Sequence, residues 1–211
     1  MNVPLENMKV LIVASTAQEL GTLNSKLSDI QVTTLVSGVG MMQTTYNLSN
    51  FLGLHTFDLV INIGICGAFH TFKKGEIVFV KEDSLGTFGA DDNGTFLPFT
   101  NFIDSSEFEN RSNITNSDTL NTLSKVKSTT VDTVSGSEKV ISALVKEFNP
   151  AIETMEGAAG FYVCNKHKTP CIQIRAVSNL VEERNTENWD IELALFNLHQ
   201  LINTVLTELN G

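Results

Sequence analysis

Short apolar runs alternate with segments of helical period along most of the chain, and that alternation leaves few folds open. Residues 8–13 are rich in β-branched side chains and apolar on both faces, as a strand buried between two layers must be. Residues 33–37, 59–63, 76–80, 131–134 and 171–177 read as further strands. Between them, residues 17–27 repeat Leu20, Leu23 and Leu27 at helical spacing, and 41–52 follows as a second helix. Residues 136–148 set Val140, Leu144 and Phe148 on one face and are closed by Pro150, while 191–209 runs through Leu195, Leu198, Ile202 and Leu206. The pattern, without an internal repeat, predicts an α/β fold: a three-layer α/β/α sandwich around a mostly parallel or mixed central sheet. At 211 residues with no linker, residues 1–211 are expected to form a single domain.

Charge narrows the partners. A formal net charge of −10 would be repelled by nucleic acid and by anionic membrane, so neither is expected as a partner and a compact ligand is. No apolar run approaches the roughly 20 residues of a membrane span, and residues 1–7 lack an export leader's charged and apolar segments. A cytoplasmic protein is expected. Cys66, Cys164 and Cys171 form no C-x-x-C spacing and read as buried thiols. His55, His70, His167 and His199 fall in no ligand spacing, so no metal is implied, and nothing implies a cofactor. Glycosylation-like triplets at Asn47, Asn93 and Asn113 carry no consequence without export.

Several loops after strands could line a site, since open α/β sheets bind ligands at strand carboxyl ends. Ser15 or Thr16 can cap the helix that places Glu19 in its first turn. Gly38 and Gly40 form a G-x-G without the third glycine of a dinucleotide fingerprint, and read as sites of close backbone packing. Residues 64–69 read as a glycine-flanked loop with exposed N–H groups around Cys66. Cys66 and His70 could form a nucleophile and base, but nothing supplies an orienting third group, so a small pocket-lining residue is the better reading. In the polar stretch 82–117, Phe88, Phe96, Phe99, Phe102 and Phe108 could pack on the core, fill a subunit interface or wall a pocket.

Glu153 to Ala159 concentrates the chemistry. Gly157, Ala158 and Ala159 let a helix start close against another backbone, with Phe161, Tyr162 and Cys164 as its buried face. Glu156 then sits at a helix start, either as a glutamate favoured by the dipole or as a ligand group. The run Thr154-Met155-Glu156-Gly157-Ala158-Ala159, followed by Ile174-Arg175-Ala176-Val177-Ser178-Asn179, resembles the nucleoside phosphorylase and nucleosidase superfamily, and within it the futalosine hydrolases. Residues 184–189, Arg184 to Trp189, look like that family's tail.

The resemblance implies roles. Glu156 would hold the ribose 2′-hydroxyl and Met155 pack on the sugar, while residues 14–20 resemble the loop in which Glu19 would be the general base for water. Asn179, where adenine-cleaving relatives carry aspartate, offers both a donor and an acceptor, which suits O6 and a protonated N7 of hypoxanthine. Ile65, Cys66 and Gly67 would line the substrate site, with Ser178 and Arg175 in support; Arg175 could equally be a structural ion-pair partner. The position of an aromatic purine-stacking residue holds Lys139, with Val140 beside it, which leaves that role unassigned. Residues 14–20, 37–43 and 64–69 hold no Arg or Lys to bind a phosphate dianion, which favours hydrolysis over phosphorolysis. Futalosine would also need an aromatic extension with a cation for its benzoate, for which Phe88, Phe96, Phe99, Arg111 and Arg184 are candidates by composition. The resemblance also implies a homo-oligomer. A phosphorylase and a non-catalytic nucleoside-binding module are the competing readings.

Overall fold

The computed structural model describes residues 7–23, 27–69, 72–93, 95–99, 102, 104–112, 117–183 and 185–210. Of the residues singled out above, His70, Asn113 and Arg184 lie outside these, as do residues 1–6. In chain order the elements are β1 (Met8–Ala14), α1 (Ala17–Leu20), β2 (Ile30–Val36), α2 (Met41–Leu54), β3 (Leu59–Ala68) and β4 (Ile77–Glu82). A hairpin of β5 (Gly89–Asp92) and β6 (Thr95–Pro98) and a 3-10 turn at Ser105–Phe108 precede α3 (Asp118–Thr122) and β7 (Ser124–Thr130). Then come α4 (Glu138–Phe148), β8 (Ile152–Thr154), α5 (Gly157–Lys166), β9 (Cys171–Leu180), a 3-10 turn at Thr186–Asn188 and α6 (Ile191–Leu209).

The main sheet runs β2-β1-β3-β8-β7-β4-β9, and β9 returns to pair with β3, so five of the strands close a ring. It is mixed: β8 against β3 and β4 against β9 are antiparallel, the other pairings parallel. Alternate residues of one strand serve opposite layers, as the pleat demands. Val10, Ile12, Leu59, Ile61 and Ile63 face a core shared with Ala194, Leu198 and Ile202 of α6. Leu11, Val13 and Val60 face the other way, onto Leu48 of α2 and Phe161 and Cys164 of α5. This is the expected layering of helices on both faces of a mixed sheet.

Several local expectations are corrected. The helix expected over 17–27 stops at Leu20, because Gly21 turns to φ +57 against the His199 ring. Leu23 and Leu27 still pack on the core, so their spacing reflected burial rather than helix. The strand expected at 131–134 is instead β7, whose Ser128, Thr129 and Thr130 are buried hydroxyl residues that hide it from an apolar pattern. On α4 the buried stripe is Ile141, Leu144, Val145 and Phe148, while Val140 is exposed. Tyr162 likewise leaves the buried face of α5 and stacks on Phe108 at 5.9 Å. Of the phenylalanines in 82–117, Phe108 is buried, whereas Phe88, Phe99 and Phe102 are exposed and stand edge to face in series, at 5.6 and 5.7 Å between centroids.

β3 and β9 are both longer than expected, which matters for the site. β3 continues through Gly64 to Ala68 and β9 through Ser178 and Asn179 to Leu180, paired in parallel with a register shift between Cys66 and Gly67. The glycines that read as a loop are required by close side-chain approach within the strand. A Cβ at Gly64 would stand 2.7 Å from both Arg175 Nη1 and Glu19 Oε1.

Candidate active site

A cavity of about 250 Å³ opens where the loops after β1 and β2, the ends of β3 and β9, the turn from β8 into α5 and the start of α6 converge. Its wall includes Glu19, Ile65, Cys66, Gly67, Met155, Glu156, Ser178 and Asn179, so it gathers nearly all the residues expected from sequence. Gln18, Val39, Val134, Glu153, Trp189, Ile191 and Leu195 also line it and were not anticipated as lining. Among the described lining residues there is no Lys or Arg.

Glu19 is placed by its own cap. Thr16 is the N-cap of α1, its hydroxyl accepting from the Glu19 N–H at 3.2 Å while Glu19 Oε2 accepts from the Thr16 N–H at 3.0 Å, a reciprocal capping box. The same oxygen accepts from the hydroxyls of Thr16, at 2.9 Å, and Ser15. Oε1 turns to β3 and accepts from the Ile65 N–H at 3.2 Å. A helix of four residues thus fixes a buried carboxylate against the central strand.

Glu156 is the N-cap residue of α5, yet its side chain makes no capping bond. Two threonines take over that task. Thr154 Oγ1 accepts from the Gly157 N–H at 3.2 Å and Thr130 Oγ1 from the Ala158 N–H at 2.9 Å, while Thr130 donates to Asp83 Oδ1 at 2.9 Å. The Glu156 carboxylate is thereby released to the cavity, where Oε1 accepts from the Gly40 N–H at 2.8 Å. Burial pushes its carboxyl above the usual range, against the opposing pull of the Gly40 N–H and the Arg175 charge. Burial also lifts Asp83, to about 6.

At the other end, Asn179 Nδ2 donates to Leu180 O at 2.9 Å and Oδ1 accepts from Ser178 Oγ at 2.8 Å. That orientation leaves one N–H and one lone pair of the amide free of these bonds. Cys66 lies in the wall, but burial pushes its thiol up to about 12, which removes it as a nucleophile and agrees with a small lining residue.

Other expectations fail to reach the cavity. Arg175 does not line it: the guanidinium is buried behind the wall, donating from Nε to Gln173 Oε1 and from Nη2 to Asn62 Oδ1, each at 3.0 Å. Its bonds are to neutral amides, so it is placed as an internal charge behind Gly64, and neither as a lining residue nor in a bidentate pair. Phe88 and Phe99 line a different cavity with Asp83 and Phe148, Phe96 belongs to β6, and Arg111 holds Ser106 O at 2.8 Å. Lys139 and Val140 sit on α4 outside the wall, whose aromatic ring is Trp189. Among the described residues, no group of three or more His, Cys, Asp or Glu could hold a metal ion, and no helix is long and apolar enough to cross a membrane.

The model of the Phosphorylase superfamily matches residues 13–207. The chain belongs to the Phosphorylase superfamily. A 5′-methylthioadenosine/S-adenosylhomocysteine nucleosidase of Bacillus velezensis is 25% identical, covering 96% of this chain and 100% of its own. Superfamily structures share the fold: the same type of nucleosidase from Colwellia psychrerythraea, in complex with adenine, superposes with a TM-score of 0.75 at 21% identity, covering 98% of each chain. A mutant futalosine hydrolase of Helicobacter pylori gives a TM-score of 0.74 at 17% identity, covering 95% of this chain and 99% of its own. The matched residues include the cavity's three carboxylates, Glu19, Glu153 and Glu156.

Proposed function

We propose that this protein is an N-ribosyl hydrolase that cleaves the glycosidic bond of a 6-oxopurine nucleoside, with futalosine as substrate and hypoxanthine as the released base, a step of menaquinone biosynthesis. The observation that carries the reading is that Glu19 and Glu156 share one cavity whose described wall holds no Lys or Arg. Breaking C1′–N9 builds positive charge on the sugar, which carboxylates stabilise. A phosphate nucleophile would need cationic or N–H clamps, whereas water needs a base.

In this reading Glu19 accepts a proton from water as its oxygen bonds to C1′. The C1′–N9 bond breaks with its electron pair passing to the purine, which takes a proton from solvent at N7 and leaves as the neutral base, and Glu19 later returns its proton to solvent. Glu156 accepts from the ribose 2′-hydroxyl, and Met155 packs on the sugar. Asn179 accepts the N7–H through Oδ1 and donates through Nδ2 to O6, using the capacity its internal bonds leave. Ile65, Cys66, Gly67 and Ser178 shape the wall around the base, and Arg175 acts from behind it. The motif resemblance at residues 154–159, with Asn179 and the segment ending at Trp189, supports futalosine among 6-oxopurine nucleosides.

A second reading, cleavage of methylthioadenosine, is favoured by the Bacillus velezensis relative. The purified protein should be incubated without phosphate with futalosine, inosine and methylthioadenosine, and free purine followed by chromatography. Hypoxanthine from futalosine is expected, with little adenine from methylthioadenosine. Adenine as the dominant product would transfer the assignment to the second reading.

A further inference from the structure

The helix that carries Glu19 is only four residues long and cannot satisfy its own carbonyls. The Leu20 N–H donates to Thr16 O at 3.2 Å and the Gly21 N–H to Ala17 O at 3.1 Å, and the chain then leaves helical geometry. The Glu19 carbonyl lies past the last of these turns, with no following helical N–H to receive. It is met from another element: His199 Nε2 of α6 stands 2.9 Å from Glu19 O. A carbonyl only accepts, so Nε2 carries the hydrogen and the imidazole donates.

Two features of the sequence make that reach possible. On α6, Ile191, Leu195 and His199 follow one another at four-residue spacing and so share a face. The first two line the cavity, and the third reaches the backbone of Glu19 behind it. Opposite the ring, Gly21 adopts φ +57, and a Cβ there would stand 2.3 Å from His199 Cε1 and 2.4 Å from Nε2. Glycine at this position therefore allows both the turn that ends α1 and the space that the imidazole fills. Ser15, Thr16 and Ile65 hold the Glu19 carboxylate, and His199 adds a hold on its main chain.

We infer that His199 is a positioning residue for Glu19: its Nε2–H fixes the carbonyl of the residue whose carboxylate takes the proton from water. His199 is not part of the cavity wall, so it acts through Glu19 and not on the substrate. The inference rests on the nucleosidase reading for the role of Glu19, while the hold on α1 is measured separately from turnover.

H199F keeps a ring against Gly21 without the N–H, and H199Q sets an amide donor near the place of Nε2. With futalosine and inosine, H199F is expected to lower kcat by about 10- to 100-fold at nearly unchanged KM, as slight misplacement of a catalytic group does. H199Q should recover to within about threefold of the wild type. A purely structural contact would lower the thermal midpoint and leave the turnover of the folded enzyme as it was. In an E19Q background, H199F should change the remaining kcat by less than about twofold, because the group it positions is gone. Hydrogen exchange read by mass spectrometry should be about tenfold faster over residues 16–21 in H199F than in the wild type, and near wild type in H199Q. Unchanged kcat or unchanged exchange in H199F, equal losses in H199F and H199Q, or an undiminished loss in the E19Q background would overturn the assignment. If the wild type releases base from no nucleoside, the hydrolase reading fails and exchange alone decides whether His199 holds α1. Should H199F not fold, H199N, whose shorter amide falls short of Glu19 O, takes its place.

Discussion

The backbone N–H of Gly40 donates to Glu156 Oε1 across 2.8 Å, tying the loop after β2 to the start of α5 and aiming the carboxylate into the cavity. Gly40 adopts φ +87, where a side chain is strained although nothing stands within 4 Å of its Cβ position. E156Q is expected to lower kcat by about 100- to 1000-fold, as loss of charge stabilisation at a developing cation does. Its thermal midpoint should stay near that of the wild type, because the α5 cap is made by threonines. Unchanged turnover in steady-state kinetics would remove Glu156 from the chemistry.

Glu19 combines a cap and a base, and two substitutions separate them. E19A loses the capping box and is expected to destabilise the fold by about 0.5–2 kcal/mol as well as abolish turnover. E19Q keeps an N3 acceptor for the Thr16 N–H and should remain close to wild-type stability, with kcat reduced by about 10²–10⁴ and base binding retained. Denaturant unfolding alongside kinetics reads both effects.

Thr130 is the hub between Asp83, Thr154 and the Ala158 N–H. T130V leaves buried donors and acceptors unpaired and should cost about 1–3 kcal/mol, whereas T130S keeps the hydroxyl and should lose about 1 kcal/mol or less. Because the hub supports the helix that carries Glu156, T130V should also lower kcat, and T130S should restore most of it. A larger loss in T130S than in T130V would show that the methyl group, and not the hydrogen bonds, is what matters.

Asp83 makes stability depend on pH. Burial raises its carboxyl from the ordinary 3.8 to about 6, so the folded state holds the proton more tightly than the unfolded chain. Its contribution is fully present below pH 3.8 and is lost as pH rises through about 6, on the order of 3 kcal/mol. D83N, neutral at every pH, should therefore gain on the wild type as pH rises from 5 to 8. Thermal midpoints that move in parallel for the two proteins would contradict this.

Much of this site could be read from residue types, and the part that could not has a physical cause. Glu19, Met155, Glu156 and Asn179 were singled out by the motif resemblance, with Glu19 and Asn179 also standing after apolar strands, and the structure gathers them in one cavity. β7 was not legible, since its inward residues are hydroxyls that hydrogen-bond in the core instead of packing as hydrocarbons. Gly64 and Gly67 suggested a loop because glycine signals backbone freedom, whereas here it makes room for Arg175, Glu19 and Asn179 beside a continuous strand. Trp189 and Val134 enter the cavity from outside the regular elements, Val134 from a stretch whose sequence read as a strand. Arg175 was placed by sequence in the right strand, but whether its side chain faces the ligand or the interior depends on Asn62 and Gln173 from neighbouring positions of the sheet.

The central claim is water attack with Glu19 as base, in a cavity whose described wall holds no Lys or Arg. The most direct measurement is the initial rate of hypoxanthine release from futalosine by wild type and E19Q, in phosphate-free buffer and again with added phosphate. Release by the wild type that is independent of phosphate, and largely lost in E19Q under both conditions, is the predicted result. Release that requires phosphate and survives in E19Q would contradict the account and make the protein a phosphorylase.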